Sequence, residues 1–145
     1  MSAVTIEAIQ AKQTELATMI QQLQKQSVSK TVIEIESCAI ELAPGEHYAG
    51  AVLDENGKLL HHLVLMAERP AIKVKWQAAM DWAASIGGTL PNRQEQALLY
   101  ANCKPHLKPE WHWSCEEHDS DAAFAWTCTF SNGRQDDLRK SYEGS

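Results

Sequence analysis

Basic residues are scarce in this chain: 13 Lys and Arg stand against 19 Asp and Glu, a net charge of −6 over 145 residues. A surface of that sign repels a phosphate backbone, which is bound by clustered cations, so nucleic acid is not expected as a partner. Long apolar runs are missing as well. No stretch approaches the ~20 residues of a membrane-spanning helix, so no membrane partner is expected. The opening Met-Ser-Ala-Val-Thr-Ile-Glu carries neither the basic region nor the apolar core of a signal peptide, which predicts a cytoplasmic protein. The four cysteines, Cys38, Cys103, Cys115 and Cys128, form no Cys-x-x-Cys pair, so zinc-ribbon and thioredoxin readings fail. In a reducing compartment they are expected as free thiols, with a Cys115–Cys128 bridge between neighbouring strands as the alternative. Gly-x-Ser-x-Gly, P-loop, dinucleotide and His-Glu-x-x-His motifs are all absent, so neither an enzyme nor a cofactor is expected.

What is present is concentrated late. Trp111 to Gly144 holds three of the five tryptophans and two of the four cysteines. That much aromatic area in a polar stretch serves a core, a binding surface or both. The length suits one compact domain plus an appendage. The appendage reads as a helix over residues 4 to 28. Ile6, Gln13 and Ile20 take heptad position a, and Ile9, Leu16 and Leu23 take position d. This is a coiled-coil seam with one polar a residue, Gln13, which sets register at some cost in stability. The stripe is narrow and a lone helix of this length is marginal in water, so self-association is preferred to docking on its own domain. Ser27 to Lys30 reads as a hinge. Thr31 to Leu42 alternates apolar and polar residues and predicts a strand.

A hairpin is expected from His47–Leu53 and Lys58–Met66 around Asp54-Glu-Asn-Gly57, because Asn-Gly takes the positive φ angles of a tight turn. Helical spacing of Trp76, Ala79, Met80 and Ala83 predicts a helix from Val74 to Ile86, ended by Gly87-Gly88. A second helix starts at Asn92, with Glu95 placed as in a capping box, and runs to about Ala101. Short strands are predicted at Trp111–Cys115, Phe124–Phe130 and Asp136–Tyr142. The order defines an α+β protein.

Several residues look chemical. His61 and His62 are adjacent in a strand, face opposite sides and suit structural roles. His112, Cys115 and His118 resemble metal ligands on paper, but a zinc site needs three or four converging donors, and strand alternation sends His112 and Cys115 to opposite sides. No metal site is therefore expected. Glu116, Glu117, Asp119 and Asp121 form one acidic loop, read as solvated. Trp111 and Trp113 share one strand face, where stacked rings fill a core or bind a sugar or a protein. Trp76, Trp82 and Trp126 are expected in the core.

From about residue 44 the chain resembles a family common in phages and prophages, related to the C-terminal domain of collagen-like bacterial adhesins (the Lcl C-terminal domain). The residues that carry the likeness are Gly45-Glu-His-Tyr-Ala-Gly50, Trp76, Ala79-Met80, Trp82-Ala83 and Gly88 through Asn102. They continue with Trp111-His-Trp-Ser-Cys-Glu-Glu-His118, Ala125-Trp126, Phe130 and Lys140-Ser-Tyr-Glu-Gly144. The likeness covers roughly two-thirds of the chain. It implies a C-type-lectin-like domain over residues 31–145, two helices against short antiparallel sheets, preceded by the oligomerisation helix at 1–30. Members of that family carry a closing strand after Ser-Tyr-Glu-Gly. Thr31–Leu42 or a strand of a neighbouring subunit is expected to cover that edge here, since an open sheet edge invites pairing. The calcium lectins of this fold carry a Glu-Pro-Asn signature that this sequence lacks.

The resemblance implies a phage or prophage binding module that recognises a protein or glycan and works in the host cytoplasm or on the virion. Ligand contacts are expected from Trp111, Trp113, Glu116, Glu117, Asp119, Asp121, Asn132 and Arg134. The seam residues Ile6, Ile9, Gln13, Leu16, Ile20 and Leu23 would make a homo-oligomer. The alternative is a phage-encoded intracellular inhibitor of a host defence system (anti-CRISPR or similar) acting by protein–protein binding.

Overall fold

The computed structural model describes residues 4–28 and 30–145. The chain divides into two compact units, Met1–Ala39 and Ile40–Ser145, a boundary later than the one expected after residue 30. None of the described helices is long and apolar enough to cross a membrane.

The first unit is built on α1 (Ile6–Val28). Thr5 opens it: its Oγ1 accepts the Ala8 amide at 3.2 Å, and its carbonyl accepts that of Ile9. Glu7 in the first turn and Lys25 in the last suit the helix dipole. The seam is exposed, from 48% at Ile9 to 71% at Ile6, so α1 gains nothing from burial in a single chain. Ser27 and Val28 are still helical, so the expected hinge does not start there; Ser29 lies outside the described residues. The strand expected at Thr31–Leu42 is not formed. Residues 30–42 belong to no sheet, and Val32, Ile33 and Ile35 stand in solvent. Alternation marks a segment able to form a strand, but a strand exists only when it is paired in a ladder, and none of the sheets among the described residues includes this segment.

The second unit has the expected α+β order. Strands β1 (His47–Leu53) and β2 (Leu59–Leu65) form an antiparallel pair. Its turn is fixed by Asp54, whose Oδ1 accepts the amides of Asn56 and Lys58, both at 2.9 Å, while Gly57 takes φ +80°. Helix α2 (Trp76–Ser85) ends at Gly87, φ +78°. Helix α3 (Arg93–Cys103) begins with the complete capping box: Asn92 Oδ1 accepts the Glu95 amide at 2.8 Å, and Glu95 Oε1 accepts the Asn92 amide at 3.0 Å. One 3₁₀ turn, Lys104–His106, ends it. Strands β3 (Trp111–Glu117), β4 (Phe124–Thr129) and β5 (Gln135–Arg139) form the second sheet in that order, all antiparallel.

Cross-strand pairs place Trp113 beside Thr127 and Ala125 beside Leu138 on one face of this sheet, and His112 beside Cys128 and Trp126 beside Asp137 on the other. The first face packs on α2. There Trp76, Ala79, Trp113 and Ala125 form a buried cluster with both indole N–H groups satisfied, Trp76 Nε1 donating to Ser114 O at 2.8 Å and Trp113 Nε1 to Val74 O at 3.0 Å. The second face is covered at one end by α3, where Leu99 and Cys103 meet Ala49, Cys128 and Phe130. The tail lies by β3: Gly144 and Val74 exchange backbone hydrogen bonds at 2.8 and 2.9 Å, and the Trp113 amide donates to Ser145 O at 3.1 Å. Neither Cys115 nor Cys128 is in a disulfide, so the bridge between them is not formed. Two of the expected core rings, Trp82 and Trp126, are only half-buried.

Candidate functional site

Helix α3 covers the outer face of the three-stranded sheet only as far as its first residue. Beyond Arg93 that face opens, and the residues that alternation places there are Phe124, Trp126, Asp137 and Arg139. Arg93 lies with its guanidinium carbon 3.8 Å from the Trp126 ring centre, and Arg139 lies 5.5 Å from that of Phe124. His118, at the end of β3, stacks on Trp126 with centroids 5.6 Å apart and planes 26° apart. Its Nδ1 accepts the Ser120 amide at 3.2 Å, and its Nε2 lies 3.8 Å from Asp137 Oδ2.

Arg93 is clamped from both ends by one amide. Its Nε donates to Gln135 Oε1 at 3.0 Å, while Gln135 Nε2 donates to the Arg93 carbonyl at 2.5 Å. The Arg93 backbone amide, an open donor at the first turn of α3, is taken by Glu116 Oε2 at 2.6 Å. Among the described residues no carboxylate forms an ion pair with the guanidinium. Asn92, Arg93, Gln94, Glu116, Gly133 and Gln135 line an open groove of about 750 Å³ here. It offers donors and acceptors on a framework already immobilised, the arrangement that lowers the ordering cost of binding.

The residues expected at the ligand divide. Glu116 lines this groove, and Asn132 and Arg134 flank its Gly133 wall; Asn132 Oδ1 accepts the Arg134 amide at 3.0 Å, and Arg134 pairs with Asp136 at 3.0 Å. Glu117 is engaged by Lys140 at 2.9 Å. Asp121 Oδ1 accepts the Ala123 amide and shapes the β3–β4 loop, while Asp119 is exposed on that loop. Trp113 is 1% exposed and belongs to the core, which removes it as a surface contact. Trp111 is half-buried against it, the two rings edge to face at 5.0 Å.

The paper ligand set His112, Cys115 and His118 does not converge. His112 is held by Glu110 O at 2.9 Å and packs edge to face on Phe130, whereas His118 is on Trp126. Burial lowers the His112 pKa and keeps its imidazole neutral, while burial followed by the Glu116 and Glu95 charges raises that of the Cys115 thiol and disfavours the thiolate a metal would need. His61 and His62 do face apart: His61 Nε2 lies 3.0 Å from Glu95 Oε2, and His62 Nδ1 lies 2.8 Å from the Tyr48 hydroxyl.

Arg93, Gln135 and Trp126 are the side chains of this candidate site that sequence reasoning missed. The period-2 parity of Phe124 and Trp126 against the buried Ala125 and Thr127 is the signal that could have moved Trp126 off the core. Nothing in the sequence marks the Arg93–Gln135 clamp, whose partners are far apart in the chain. No family model matches this chain, and no curated protein or solved structure matches it.

Proposed function

We propose that the chain is a binding module of phage or prophage origin: a C-type-lectin-like domain, oligomerised by α1, that recognises a protein or glycan through the open end of its three-stranded sheet. One observation supports this above the rest. A cationic side chain is held over an aromatic ring, clamped by Gln135, without a carboxylate partner among the described residues, at the edge of an open polar groove. Arg and Trp in that arrangement are the residue types that carry binding energy at interfaces. Glu116, Asn132 and Arg134 surround it, and Asp119 and Asp121 extend the surface along the neighbouring loop. The exposed heptad seam of α1 supports self-association, which would multiply weak contacts into avidity.

The test is capture by the immobilised full chain, run on a glycan array and on a bacterial lysate in parallel. The reading expects one glycan class or one envelope protein to be retained. A glycan lost on chelation would place calcium in the site. Specific retention of a cytoplasmic defence protein would replace the module by an intracellular inhibitor.

A further inference from the structure

A second groove is bordered by Pro91 and Glu95, at the start of α3. It has a volume of about 550 Å³, and six consecutive residues, His61 to Met66, form one wall. Consecutive strand residues point to opposite faces, so a run of six can border one groove only along the strand's edge. That edge is open to pairing, because among the described residues the first sheet contains only β1 and β2. The floor is apolar, with the half-buried Val74, Trp82, Ile86, Leu90 and Leu107 among its residues. A groove with a strand edge for a wall and an apolar floor is shaped for an extended segment with apolar side chains at every second position.

The first unit supplies such a segment without a home. Thr31–Glu36 belongs to no sheet, and Ile33 and Ile35 are 69% and 89% exposed. In a strand these two side chains would share one face, with Glu34 and Glu36 on the other. Six residues of strand span roughly 20 Å, the same length as His61–Met66. The segment follows directly on α1, whose exposed seam would bring copies of the chain together.

We infer that the groove along β2 takes the segment Thr31–Glu36 of a second copy of the chain, which adds a third strand to the β1–β2 sheet. Ile33 and Ile35 face the floor, Glu34 and Glu36 face solvent, and the edge of β2 is closed. The inference rests on the self-association proposed above, and its test separates the two.

Full chains carrying Leu60→Cys or Val64→Cys on β2 are prepared with natural isotopes and with nitrogen-15, mixed under mild denaturation, refolded and treated with a bismaleimide. Native Cys38, which is exposed and two residues beyond the segment, provides the other attachment point. The expected product joins the Cys38 peptide to the β2 peptide with mixed isotopic mass, in an assembly that light scattering shows to be larger than one chain. Ile35→Pro, which removes a strand N–H and disturbs little else in an exposed segment, is expected to reduce that product at least tenfold while the assembly persists. Crosslinks of uniform mass only, or none in an assembly of more than one chain, overturn the strand exchange and leave self-association standing. A monomer by light scattering overturns both.

Discussion

Replacing Gly144 by alanine tests how the tail is seated. A Cβ at Gly144 would lie 2.1 Å from Trp111 Cζ3 and 2.4 Å from its Cη2, more than 1 Å inside ordinary contact. Two relaxations are open. The Trp111 ring retreats, but it stands edge-on to Trp113, which is 1% exposed and hydrogen-bonded to Val74. Forcing a methyl group into such packing costs about 1–3 kcal/mol. Otherwise the tail moves away and gives up the two Gly144–Val74 backbone hydrogen bonds, worth about 1 kcal/mol each. Either route gives about 2 kcal/mol, or roughly 8 °C in Tm for a unit of this size. All five tryptophans lie in the second unit, so urea unfolding followed by indole fluorescence reads that unit directly. A midpoint within 0.5 kcal/mol of wild type at unchanged slope would refute the packing argument.

Other outcomes follow from the same geometry. Asn92→Ala removes the N-cap of α3 and is expected to cost about 1 kcal/mol in urea unfolding, with loss of ligand capture because Arg93 is the next residue. Arg93→Lys removes the planar group that rests on Trp126 and binds Gln135, and is expected to weaken capture about tenfold with a stability change under 1 kcal/mol. The pKa of His112 is lowered by burial, so its contribution is complete above the unfolded value of about 6.5. As pH falls below that value the unfolded chain takes up a proton that the folded chain resists, and stability drops by at most about 1.4 kcal/mol per pH unit down to the folded value. The difference between urea midpoints at pH 7.5 and pH 5.5 should shrink in His112→Gln. Cys38 should react with iodoacetamide in seconds to minutes, and Cys103 and Cys128 only after unfolding, because burial both hides those two thiols and raises their pKa.

The elements legible in the sequence are those set by local chemistry. The Asp54–Gly57 turn and the Asn92–Glu95 capping box are satisfied within a few residues, so their signatures locate β1, β2 and the start of α3. The Thr31–Leu42 expectation shows the opposite case, since period-2 alternation describes a segment able to pair but says nothing of a partner. The tryptophans show a third. Trp113 and Trp126 have similar sequence surroundings, yet strand register turns one toward α2 and the other to the opposite face, beside the first residue of α3, where its ring stays half-exposed. The candidate site was half legible: Glu116 and the Asn132–Arg134 turn were found from polarity, while Arg93 and Gln135 are joined by a contact spanning 42 residues.

Recognition of a ligand at the groove of Arg93 and Trp126 is tested by parallel capture on the glycan array and from the lysate, with wild type beside Arg93→Ala and Trp126→Ala at matched fold and oligomeric state. A specific ligand is expected to be held by wild type and lost, at least tenfold, from both variants. Equal retention of that ligand by all three proteins would rule out recognition at this groove.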